Sequence, residues 1–103
     1  MIVRVWKARA TSDQAPAYRR HLETHVFPTL QSISGFISAD LMERVDDDEV
    51  ELVVTSRWRS LKAVREFAGD AYEKAVVAPG ARAVLASYDD VVAHYEVTAE
   101  CKS

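Results

Sequence analysis

Three observations in the 103-residue sequence predict an α+β fold. Strand-like and helical stretches alternate in the order β-α-β-β-α-β. The two middle strands are separated only by a run of aspartates, which marks a hairpin. The first strand is apolar on both sides, so both faces of its sheet need cover. That order is the split-βαβ, ferredoxin-like arrangement: a four-stranded antiparallel sheet with the helices on one face.

Strand one is read over Met1 to Arg9, with Val3 and Val5 pointing one way and Ile2, Arg4 and Trp6 the other. Thr11, Ser12 and Asp13 offer helix caps, and Pro16 falls in a tolerated first turn. A helix then runs to about Ser32, with Tyr18, Leu22, Val26, Leu30 and Ile33 on its apolar stripe. Pro28 removes one backbone donor inside that stripe, which predicts a kink or break near Thr24 and His25. Gly35 ends the helical region and Phe36 to Val45 forms strand two. Asp46 to Asp48 makes the turn, because aspartates tolerate left-handed backbone. Glu49 to Trp58 is strand three, with Val50, Leu52 and Val54 on one face.

Ser60 is a candidate N-cap for a helix carrying Leu61, Val64, Phe67 and Ala68, which Gly69 stops. Asp70 is expected to cap a second short helix with Tyr72, Ala75 and Val76, broken by Pro79 and Gly80, before a last turn over Ala81 to Leu85. Tyr88 to Thr98 reads as strand four, with Val91, Ala93, Tyr95 and Val97 opposite Val92, His94 and Glu96. Residues 1–98 are expected to form one domain and residues 99–103 a frayed tail.

Composition excludes several classes of function. A net charge of −3 supplies no footprint for nucleic acid. No apolar run approaches the roughly 18 residues of a membrane span, and the opening MIVRVWKAR has no signal-peptide core. The single cysteine, Cys101, has no partner in the chain, which fits a reducing, cytoplasmic compartment. There is no Gly-x-Ser-x-Gly, and Gly35, Gly69 and Gly80 make no phosphate loop. The acidic turn lacks the spaced ligands of a calcium loop.

The stretch from Trp58 to Leu85 contains W-x-S-x-x-A-x-x-x-F-A-G and then A-V-x-x-P, and the last strand carries H-Y-E-V. This pattern resembles the antibiotic biosynthesis monooxygenase-like family of the dimeric α/β-barrel (ferredoxin-like) superfamily, over nearly the whole chain. The resemblance implies two sheets packed face to face in a two-fold dimer. Members that oxidise polyketide-derived aromatic rings need no flavin, metal or haem; the substrate, deprotonated to a carbanion, reacts with oxygen itself. Members that degrade haem use a strand-one Asn, a helix Trp and a helix His. This chain has no asparagine, Lys7 stands nearest that strand-one position, and no histidine lies between Trp58 and Leu85. Haem degradation is therefore not expected, and neither is any cofactor.

Among the residues themselves, His21 and His25 lie four apart on one helix face with Tyr18. Such a pair can ligate a metal, but neither HExxH nor an acidic third ligand accompanies it, so no metal is expected. The same histidines can move a proton near neutral pH. With the Tyr72 hydroxyl they form the candidate catalytic set. Tyr18, Trp58 and Phe67 are candidate walls for a flat aromatic ligand, and Arg82 a candidate partner for its carboxylate or phenolate. For each the plain alternative is packing or solvation. Trp6 and His94 are expected on the bare sheet face, at the homodimer interface. The expected function is a cofactor-independent monooxygenase acting on a small hydrophobic aromatic substrate. The alternative is a non-catalytic ligand-binding module.

Overall fold

The computed structural model describes residues 1–103. The elements are β1 (Ile2–Thr11), α1 (Ala15–His21), a π-helical stretch (Leu22–Val26), α2 (Phe27–Gln31), β2 (Phe36–Asp46), β3 (Glu49–Trp58), α3 (Leu61–Ala68), α4 (Pro79–Arg82), β4 (Ser87–Tyr88) and β5 (Ala93–Glu96). The sheet is antiparallel in the order β2-β3-β1-β4, and β5 also pairs with β1. The α+β class and the ferredoxin-like order are as the sequence predicts. No helix is long and apolar enough to cross a membrane.

The helix after β1 breaks where Pro28 requires. The interruption spans Leu22–Val26 and takes the form of π-turns, with the Phe27 N–H donating to the Leu22 carbonyl. A π-turn widens the helix by one residue, and such insertions are common at functional sites. Two threonines donate back to carbonyls along it: Thr24 Oγ1 to Arg20 at 2.7 Å and Thr29 Oγ1 to His25 at 3.1 Å.

Two sequence expectations are corrected. The single strand over Tyr88 to Thr98 is two short ones that share the outer edge of β1, β4 beside Ala8 and Arg9 and β5 beside Ile2 to Val5. Between them the chain bulges outward and takes other partners. The Asp90 carbonyl accepts from Ala75 N–H, and Val92 N–H donates to Glu73, both at 2.8 Å. Those bonds use the backbone of the segment expected to be a second short helix, so that helix does not form. Val76 and Val77 favour extended backbone, and Ala78, which precedes Pro79, is extended with ψ 154°. Pro79 then opens α4 at its first turn instead of breaking a helix.

Ser60 caps α3 as expected, its Oγ accepting from Ala63 N–H at 3.2 Å. Gly69 ends α3 with φ +79°. Gly35 has φ +92°, and a Cβ there would lie 2.7 Å from the Ala63 Cβ. The close approach of α3 to the start of β2 therefore requires glycine. Asp47 takes positive φ in the hairpin turn.

Alternation along β1 decides the faces. Arg4, Ala8 and Ala10 are buried, so the even positions face the helices. The small side chains of Ala8 and Ala10 let α1 and α4 close on the sheet beside Tyr18, Leu22, Leu52 and Ala81. A second cluster gathers Leu30, Ala63 and Val64 around Trp58. The bare face carries Val3 and Val5 with their β3 partners Arg57 and Thr55. Met42 and Tyr95, 50% and 60% exposed, lie on that face, opposite Val53 and Val3. Trp6 and His94 do not. Trp6 shares the even face with Arg4, packs 6.1 Å from the Tyr18 ring, and donates from Nε1 to the Asp89 carbonyl at 2.7 Å. His94 pairs with Arg4 across the ladder and so shares its face. Their expected place on the bare face is corrected by the parity of β1.

Candidate functional site

A cavity of about 230 Å³ lies between the sheet and the helices, and 12 of its 17 lining residues are hydrophobic. Its preference is therefore for apolar surface. The sheet contributes Arg4, Trp6, Val54 and Ser56 as a floor. The helical stretch contributes Tyr18, His21, Leu22, His25 and Leu30 along one wall. Phe67 and the extended run Val76 to Ala78 close the other side.

The π-turn helps position that wall. Tyr18 and Leu22 are buried against the sheet, His21 is half-buried, and His25, within the π-turn, is exposed. The His21 and His25 rings are 5.5 Å apart and the Tyr18 and His21 rings 6.2 Å. His21 is held below the ordinary histidine range, first by burial and then by the neighbouring His25. A histidine so lowered is neutral at pH 7 and accepts a proton. Burial pushes the Tyr18 hydroxyl upward, keeping it un-ionised. No three His, Cys, Asp or Glu side chains converge anywhere in the chain.

Of the candidate residues, Tyr18, His21, His25 and Phe67 come together around this cavity, and so does Trp6. Trp58, Tyr72 and Arg82 do not line it. Trp58 is fully buried one layer behind, stacked on Phe67 at 5.8 Å and edge-on to Phe36 at 5.3 Å. Its Nε1 donates to Ser56 Oγ at 2.9 Å. Trp58 thus braces a wall residue without being one. Tyr72 lies beside His94, ring centroids 5.4 Å apart, over a more open depression formed with β5. Arg82 is exposed on α4.

Sequence reasoning passed over Arg4. It is 6% exposed and donates from Nη1 to the Tyr72 carbonyl at 2.7 Å and from Nη2 to the Lys74 carbonyl at 3.4 Å. His94 Nε2 lies 3.1 Å from the same Nη1. The guanidinium stands 5.7 Å from the Phe67 ring centre. Burial lowers its pKa to about 10, so it stays charged at neutral pH. His94 is held below its ordinary value by burial and then by this charge. The available signal was a charged residue among the otherwise apolar even positions of β1.

A single-layer antiparallel sheet with an apolar cavity under its helices defines a small ferredoxin-like α+β protein. Residues 1–79 match the family described as antibiotic biosynthesis monooxygenase, and the chain belongs to that family. No curated protein matches the sequence. Among solved structures, the chain is similar to a Bacillus cereus protein assigned to the antibiotic biosynthesis monooxygenases, with a TM-score of 0.74 at 15% identity, covering 100% of this chain and 96% of that one. It is also similar to SnoaB, a cofactor-independent oxygenase from Streptomyces nogalater, with a TM-score of 0.64 at 15% identity over 99% and 98% of the two chains. The haem degrader MhuD of Mycobacterium tuberculosis has a TM-score of 0.63 at 20% identity over 99% and 100%. At these identities the likeness is one of fold.

Proposed function

We propose that the protein is a cofactor-independent monooxygenase acting on a small, hydrophobic aromatic substrate. The observation that carries this reading is the apolar cavity with two histidines in its wall. Family membership supports it. His25, exposed at the rim, takes a proton from an acidic C–H or O–H of a quinol-type substrate, and the neutral His21 beside it supports that transfer. The resulting carbanion gives up an electron pair to oxygen. One oxygen atom enters the substrate, the other leaves as water, and the substrate supplies all the electrons (SH2 + O2 → SO + H2O). Tyr18, Trp6 and Phe67 hold the ring, and the apolar wall keeps bulk water from the carbanion.

The residues present do not fit a haem. The cavity is smaller than the roughly 300 to 1,000 Å³ of ordinary small-molecule sites, and α3 holds no histidine.

The same reading includes a homodimer formed through the bare sheet face, where Val3, Val5, Met42 and Tyr95 need cover. Oxygen consumption with a panel of phenols and quinols tests the enzyme. Turnover that is absent in the metal-free protein but restored by iron or flavin sinks the cofactor-free mechanism. Saturable binding with no oxygen uptake favours the non-catalytic ligand-binding module.

A further inference from the structure

Arg4 is a charge without a counter-charge. Burying a guanidinium costs several kcal/mol unless an opposite charge or a full set of acceptors compensates. None of the ion pairs of this protein includes Arg4; they use Arg9, Arg19 and Arg44. Its partners are two backbone carbonyls and a histidine ring that the same charge helps keep neutral. Those contacts occupy three of the five guanidinium N–H groups. They fix the plane of the guanidinium and leave its charge in place.

The cavity that Arg4 lines contains no acidic residue, and its other lining side chains are apolar, hydroxyl or imidazole. Ser56, buried next to Arg4 on the same floor, accepts from Trp58 Nε1, which leaves its own O–H free to donate. No buried side-chain nitrogen or oxygen is left unpartnered. The Arg4 Nε–H makes no protein hydrogen bond and is not sealed off from solvent-sized space, and Arg4 is a lining residue of the cavity.

We propose that the natural ligand is an aromatic carboxylate whose carboxylate group is received by Arg4 and Ser56 at the cavity floor, while its ring lies among Trp6, Tyr18 and Phe67. The reasons are chemical. A planar fork of N–H donors matches a carboxylate, and a charge-assisted bond out of water is roughly twice as strong as a neutral one. The small volume restricts the ring system to one or two rings. The proposal rests on the cavity being the ligand site, and it adds the charge class of the ligand. Arg4 is a binding group here; the proton is still taken at the helical wall by His25.

The test compares 2-naphthoate with its neutral near-isostere 2-naphthamide by calorimetry at pH 7.5, for wild type, Arg4→Met and Arg4→Lys. Wild type is expected to bind the carboxylate about tenfold more tightly than the amide, the effect of one charged hydrogen bond. Arg4→Met should erase that preference while still binding the amide, and Arg4→Lys should keep part of it. If Arg4→Met fails to fold, the wild-type ratio decides alone. Equal or tighter binding of the amide by wild type overturns the carboxylate assignment and leaves the cavity as an apolar site. Binding of neither compound overturns the cavity reading together with this one.

Discussion

Replacing Trp58 with phenylalanine should cost stability and spare ligand affinity. The indole is fully buried between Phe36 and Phe67 and donates its N–H to Ser56. Phenylalanine keeps one ring in this slot but leaves part of the indole volume empty, a loss of roughly 1–2 kcal/mol of buried contact. The lost hydrogen bond adds about 1 kcal/mol. The sum of about 2–3 kcal/mol corresponds to a fall in Tm of roughly 10–20 °C for a chain of this size. Ser56→Ala should be harsher per atom removed, because it strands a buried N–H. The Trp58→Phe/Ser56→Ala pair is therefore expected to be non-additive. The assay is thermal unfolding followed by circular dichroism, with binding of an aromatic ligand measured well below Tm. A variant that melts like wild type but loses affinity would mean that Trp58 faces the ligand and that the layering given above is wrong.

Val5→Glu, on the bare face, is expected to yield a folded monomer in size-exclusion chromatography with light scattering, since a carboxylate cannot be buried unpaired between two sheets; an intact dimer would place the interface elsewhere. Trp6→Glu is expected instead to lower Tm, because that side chain packs beneath the helices. His25→Ala should reduce oxygen uptake or ligand turnover by about 10²-fold or more, and wild-type activity should fall on acidification below about pH 6.5 as His21, held low by burial and by its neighbour His25, takes up a proton; an unaffected variant would remove His25 from the mechanism. Stability should fall on acidification below about pH 6.5. His21 and His94 have lowered pKa values in the folded state, so the unfolded chain binds protons first and is favoured as pH falls through that window. Chemical denaturation of wild type and His21→Gln at pH 5.5 and 7.5 checks this, the variant losing less on acidification.

The periodicities alone determined the α+β class, the hairpin at Asp46 to Asp48, the Ser60 cap and the break ahead of Pro28. Each depends on neighbours within a few residues: a cap on the next turn, a missing N–H on the preceding one. The stripe of Tyr18, His21 and His25 was legible for the same reason, since helical spacing fixes which residues share a face. The segment from Asp70 to Val92 was not legible. Its backbone could bond within a helix or across to Asp90 and Val92, and only the packed chain brings those partners near. Which face of β1 is covered was likewise a tertiary decision. Val3 and Val5 are as apolar as Ile2 and Trp6, so pattern could not choose; the small Ala8 and Ala10 beneath α1 and α4 chose. That choice moved Trp6 and His94 from the bare face to the covered one and buried Arg4. A buried charge is recognised by the partners it lacks, and these can be counted only once residues 68 to 90 positions away in sequence have been brought against it.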